Sequence, residues 1–138
     1  MAITWTTNRV TGHELVNYGP IQSDLAYTST SISNQYRWQW DPHTQDWYYT
    51  SGFIHEALMI NLIPGMIHFY QIESNGRRSE VIRFVAAPGS GIKTPVSFFH
   101  VGDMGTFGSS VMVTNDMMKR MKQQQFHGML HCLSLIHI

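Results

Sequence analysis

The sequence predicts a mainly β chain, an antiparallel β-sandwich over residues 1–86 followed by an incomplete βαβ unit over residues 95–132. Three observations lead there. Short β-branched and aromatic runs recur as far as position 86, with turn residues between them and no helical periodicity. The Pro/Gly/Ser-rich stretch at 87–94, APGSGIKT, then reads as a linker. Beyond it come an apolar run, a loop, a helical stretch and a second apolar run, the order that opens a parallel sheet.

In MAITWTT, Ile3 and Trp5 face one way and Thr4 and Thr6 the other. TNRVTGHE reads as a hairpin-like break. HELVNYG and LAYTSTSIS are further strands, separated by GPIQSD. YRWQWDPHTQDWYYT forms two aromatic arms around a turn at Asp41-Pro42. GFIHEALMINL is a longer strand. MIHFYQIE follows the turn at Pro64-Gly65, and SEVIRFVAA the turn at Asn75-Gly76. The four tryptophans are expected in the sandwich interior, where aromatic rings bury most area. An exposed aromatic platform for a sugar or other ligand is the alternative.

In the second segment, VSFFHV reads as a strand buried on both faces and GDMGTFGSS as a loop. TNDMMKRMKQQQ reads as a helix with Thr114 or Asn115 as N-cap and Asp116 in its first turn. Lys119, Arg120 and Lys122 stand toward its other end, which suits the helix dipole. Met117, Met118 and Met121 share a face expected to pack into a core. FHGMLHC is the second strand.

Composition narrows the function classes. The 138 residues are 43% hydrophobic and 13% charged, with a formal net charge of zero. Such a chain lacks the basic surface that nucleic acid or an anionic membrane demands. It has no apolar run long enough for a transmembrane helix, no visible signal peptide and no Asn-x-Ser/Thr sequon. The single Cys132 excludes an internal disulfide framework.

One carboxylate stands out. Asp103, in FFHVGDMGTFG, directly follows the first apolar run, between Gly102 and Gly105. Ligands of open parallel sheets bind at the carboxyl ends of the strands, and a carboxylate is a hard oxygen ligand for Fe(III), Mg(II), Mn(II) or Zn(II). The other reading is an Asp that caps its own backbone in a tight turn.

The chain resembles the purple acid phosphatases, a branch of the calcineurin-like metallophosphoesterases. MAITWTT is similar to that family's Met-x-x-x-Trp-x-Thr strand, VNYG to its Val-x-Tyr-Gly, and SGFIHEALMINLIPGMIHFYQI to its Gly, Ile-His and Leu-x-Pro-Gly segment. VIRFVAAP resembles the end of its fibronectin III-like N-terminal domain, and FFHVGDMG the first metal motif of its catalytic domain. The resemblance runs in one register over nearly the whole chain. It implies a fibronectin III-like sandwich at 1–86 that lacks its first strand, then the start of a metallophosphoesterase domain. It further implies hydrolysis of phosphate monoesters at a centre of Fe(III) plus Zn, Mn or Fe, with Asp103 as an iron ligand. A secreted, lysosomal or vacuolar location is implied as well.

Two departures qualify it. The family's Tyr-Tyr-Tyr run stands here as His68-Phe69-Tyr70, where His68 is expected as a satisfied core residue rather than a ligand. The family's later motifs, Gly-Asp-x-x-Tyr and Gly-Asn-His, are absent, and LSLIHI at 133–138 resembles translated sequencing adapter. A truncated fragment, inactive by itself, is therefore expected, with no role for His100, His127, His131 or His137 as ligands. The alternatives are a zinc or manganese phosphodiesterase of the same superfamily and a non-catalytic fibronectin-like binding module.

Overall fold

In the computed structural model, residues 1–91, 94–102, 108–123 and 126–132 are described, the side chains of Ser109 and Cys132 excepted. The chain divides into two compact units, Met1–Ala87 and Pro88–Ile138.

The first unit contains nine strands, β1 (Ala2–Thr7), β2 (Leu15–Gly19), β3 (Tyr27–Asn34), β4 (Arg37–Asp41), β5 (Asp46–Thr50), β6 (Phe53–Leu58), β7 (Ile67–Ser74), β8 (Arg77–Arg78) and β9 (Ile82–Val85). Every pairing among them is antiparallel. Strand β3 changes partner halfway. Thr30 still faces Leu15 of β2, whereas Ser31 already faces Ala57 of β6. One layer is therefore β1, β6 and the end of β3; the other is the start of β3, β2 and β7, with β8 and β9 on β7. A strand that switches sheets is how a sandwich turns its corner.

The core follows from strand alternation. Val16 and Tyr18 of β2, Ala57 of β6 and Met59 just beyond it are buried together, with Ile3, Trp5, Leu62, Tyr70, Ile72 and Phe84 packed around them. Each large side chain so buried contributes roughly 1.5–3 kcal/mol. Tyr18 also fixes the segment after β6, because its hydroxyl accepts from the Ile60 N–H at 3.2 Å and donates to the Ile60 carbonyl at 3.3 Å. That grip ends β6 at Leu58, short of the apolar run that continues to Leu62. Gly52 opens β6 for a steric reason. A Cβ there would lie 2.7 Å from Thr6 Cγ2 and 2.9 Å from the Thr7 carbonyl oxygen.

Two expectations for this unit are corrected. TNRVTGHE is not a hairpin, since β1 pairs with β6 while β2 pairs with β3 and β7. The segment instead crosses between the layers, and partner choice is a long-range outcome that a local turn signal does not decide. The tryptophans are not all interior. Trp5 packs on the core, but Trp38, Trp40 and Trp47 lie on the β4–β5 ribbon, a separate two-stranded sheet among the described residues. Trp38 and Trp40 are 51% and 48% exposed.

The second unit has β10 (Phe98–Gly102), α1 (Gly108–Gln123) and β11 (Gly128–Cys132), with β10 and β11 parallel. Its helix begins six residues before Thr114, so neither Thr114 nor Asn115 is an N-cap. The Thr114 hydroxyl donates to the Ser110 carbonyl at 2.8 Å, which satisfies it inside the helix. Asp116 likewise sits mid-helix, 2.8 Å from Arg120 Nε one turn on. Arg120 and Lys122 do occupy the last turn. The methionine face is not core: Met117 is half-buried, while Met118 and Met121 are each 52% exposed. VSFFHV is not buried on both faces either. Burial alternates along β10, with Phe98 exposed and Phe99 stacked on Phe126 at 3.9 Å. A continuous apolar run marks the residues a parallel sheet needs, but only elements that pack on it bury them, and α1 is the one helix among the described residues.

Candidate functional site

Strand pairing sets the ends of the second unit. The parallel register runs from Phe98 opposite Gly128 to Gly102 opposite Cys132, so both carboxyl ends emerge together. The start of that register is locked by His127. Its N–H donates to the Ser97 carbonyl at 2.8 Å, and its Nδ1 accepts from the Ser97 N–H at 3.0 Å. His127 is thus a structural clamp. Asp103, the candidate metal ligand, follows Gly102 in the chain but lies outside the described residues, as do His137 and the segment 133–138. His100 and His131 are strand residues, each already engaged by a neighbouring group. Among the described residues, no three His, Cys, Asp or Glu side chains gather where they could hold a metal ion.

Two histidines of the first unit, His55 and His68, are interior and engaged through both ring nitrogens. His68 is buried and stacks on Phe84 at 5.7 Å. Its Nε2 accepts from the Ile63 N–H at 3.4 Å, so Nδ1 carries the proton and donates to the Met66 carbonyl at 3.1 Å. The imidazole ties its strand to the preceding loop, a task a corner tyrosine performs with one hydroxyl. The expectation of a satisfied core histidine matches this geometry.

His55, for which the sequence suggested no role, is the most enclosed polar side chain described. It stacks on Trp5 with ring centroids 5.2 Å apart. Its Nε2 lies 2.6 Å from Thr7 Oγ1 and its Nδ1 lies 2.7 Å from Ser33 Oγ. The Thr7 hydroxyl spends its proton on the Arg9 carbonyl at 2.6 Å. It must therefore accept from His55 Nε2–H, which leaves Nδ1 to accept from Ser33. One imidazole thus joins β1, β3 and β6.

Glu14 organises the crossing between layers. Its carboxylate accepts from the Thr11 N–H at 2.8 Å, the Thr11 hydroxyl at 2.7 Å and the Gly12 N–H at 3.0 Å. Burial opposes its ionisation, but the Thr11 and Gly12 donors outweigh burial and hold the carboxyl below the usual glutamate range. Asp41 does similar work in the β4–β5 turn, where the His43 amide leads the groups that lower its pKa.

The β4–β5 ribbon carries six aromatic rings in three facing pairs. Tyr36 meets Tyr49 at 5.6 Å, Trp38 meets Tyr48 at 6.5 Å, and Trp40 meets Trp47 edge-on at 5.3 Å. Its base is pinned by the Ser51 N–H to the Tyr36 carbonyl at 2.9 Å and by the Tyr36 N–H to Ser51 Oγ at 3.0 Å.

Comparison with known families gives one assignment. The family model described as "Purple acid Phosphatase, N-terminal domain" matches residues 1–86, the span that folds here as the antiparallel sandwich.

Proposed function

Since that match covers well over half of the chain, the protein belongs to the purple acid phosphatase family, and we propose that its 138 residues are the N-terminal part of a metal-dependent phosphomonoester hydrolase. The observation that carries this reading is the family match over 1–86, followed in sequence by a strand that leads directly into Gly102-Asp103. The parallel β10–β11 pairing supports it, because ligand groups in such sheets sit beyond the carboxyl ends of the strands.

In this reading Asp103 is a ligand of Fe(III), and a second metal, Zn, Mn or Fe, completes the centre. Two such ions clamp a phosphate, supply hydroxide and spread the charge of the in-line transition state. The described residues do not furnish that centre. One aspartate cannot bridge and hold two ions, so the 138 residues alone are expected to hydrolyse no phosphate ester. The contribution of this chain's first unit is an antiparallel sandwich. A secreted, lysosomal or vacuolar location of the parent belongs to the same proposal.

Metal analysis and turnover of the purified parent protein test the reading. Iron with a second metal, and hydrolysis of a chromogenic phosphate monoester, are expected. A metal content of zinc or manganese alone with diester turnover would favour the phosphodiesterase, and a parent without metal or turnover would favour a binding module.

A further inference from the structure

A polar cleft opens in the first unit where the end of β1 meets the β7–β8 turn. It is lined by Thr6, Thr7, Asn8, Arg9, Ser74, Asn75 and Arg77 and has a volume of about 540 Å³. No carboxylate lines it. The nearby acid Glu73 is instead paired with Arg78 at 2.9 Å. Among the described residues neither Arg9 nor Arg77 makes an ion pair, so the cleft carries two uncompensated guanidinium charges.

The cleft is also built rather than incidental. Arg9 is held, because its Nε donates to Asn75 Oδ1 at 3.1 Å. That bond leaves the four N–H groups of its two terminal nitrogens free to face a ligand. Asn75 and Gly76 both have left-handed backbone, at φ 55° and 70°, which makes a tight turn that sets Arg77 directly opposite Ser74. The Ser74 hydroxyl is buried without a hydrogen-bond partner. A buried polar atom left unpaired costs free energy, and rotation about χ1 would let this hydroxyl donate into the cleft.

We propose that this cleft is a binding site for a tetrahedral dianionic oxyanion, the phosphate group, held by Arg9, Arg77 and Ser74. Two guanidiniums and a hydroxyl supply donors to several oxygens at once, which favours phosphate over a monoanionic carboxylate. The chain has zero formal net charge, so the site suits a single group rather than a nucleic acid backbone. The site uses no metal and stands whether or not Asp103 binds iron.

Titration of the metal-free 138-residue chain, followed by amide NMR shifts, tests this with inorganic phosphate, methyl phosphate and acetate at constant ionic strength. Saturable shifts at Arg9, Ser74, Asn75 and Arg77 are expected with inorganic phosphate and not with acetate. If methyl phosphate binds as well, the ligand is a phosphate group on a larger molecule; if only inorganic phosphate binds, it is the free ion. Arg9→Gln and Arg77→Gln should each weaken binding about tenfold, the usual effect of losing a charge-assisted hydrogen bond. Arg77 is exposed on a two-residue strand, so its variant remains folded and keeps the test decisive if Arg9→Gln unfolds. Equal binding of acetate, or unchanged phosphate affinity in Arg77→Gln, would overturn the proposal.

Discussion

Thr7 Oγ1 and His55 Nε2 stand 2.6 Å apart, and the hydroxyl's own proton is committed to the Arg9 carbonyl. The direction of the contact is therefore fixed, with His55 as donor. Thr7→Val removes the acceptor and leaves a buried N–H unpaired, which should destabilise the chain by about 1–3 kcal/mol. Ser33→Ala removes a donor instead and should cost about 1 kcal/mol. His55→Ala also empties the space beside Trp5 and should cost more, about 3 kcal/mol or above. Urea unfolding checks the order. A Thr7→Val variant as stable as the native chain would show that the contact is idle.

The Glu14 turn makes stability depend on acid. Its carboxyl titrates lower in the folded chain than in the unfolded one. The stabilisation is then complete above the ordinary glutamate pKa of about 4.3 and is lost as pH falls below it through the folded value. Glu14→Gln should be less stable than the native chain at neutral pH, and the gap should narrow as pH drops through that window. Thermal melts at a series of pH values read this directly; a gap that widens in acid contradicts the assignment.

Trp5 and the ribbon tryptophans should behave oppositely. Trp5→Ala removes a ring packed on the core and on His55, at a cost of about 3–5 kcal/mol. Trp38→Ala removes a ring that is half exposed on a ribbon outside the main sheet. Its effect on global unfolding should stay within about 0.5 kcal/mol. Denaturation midpoints of the two variants are the check, and a Trp38→Ala loss as large as that of Trp5→Ala would mean the ribbon belongs to the core.

These contrasts show what the sequence could reveal. Alternation in MAITWTT placed Ile3 and Trp5 inward, because a half-buried strand repeats every two residues. The βαβ order was legible from the change of period after residue 94. The crossing at TNRVTGHE was not, since turn chemistry reports local backbone and not which distant strand completes the ladder. The methionine face misled for a related reason: helical spacing shows which residues share a side, while burial depends on what packs there. His55 gave no signal because its role arises only when Thr7 and Ser33 arrive from two other strands. Asp103 was legible as a motif, and its geometry lies outside the described residues.

The most direct measurement is the iron content and phosphomonoester turnover of the parent protein carrying Asp103→Ala. Loss of the iron, together with loss of most of the rate in a chain whose sandwich still unfolds normally, is the predicted result. A variant that keeps both its iron and its rate would contradict the assignment of Asp103 to the metal centre.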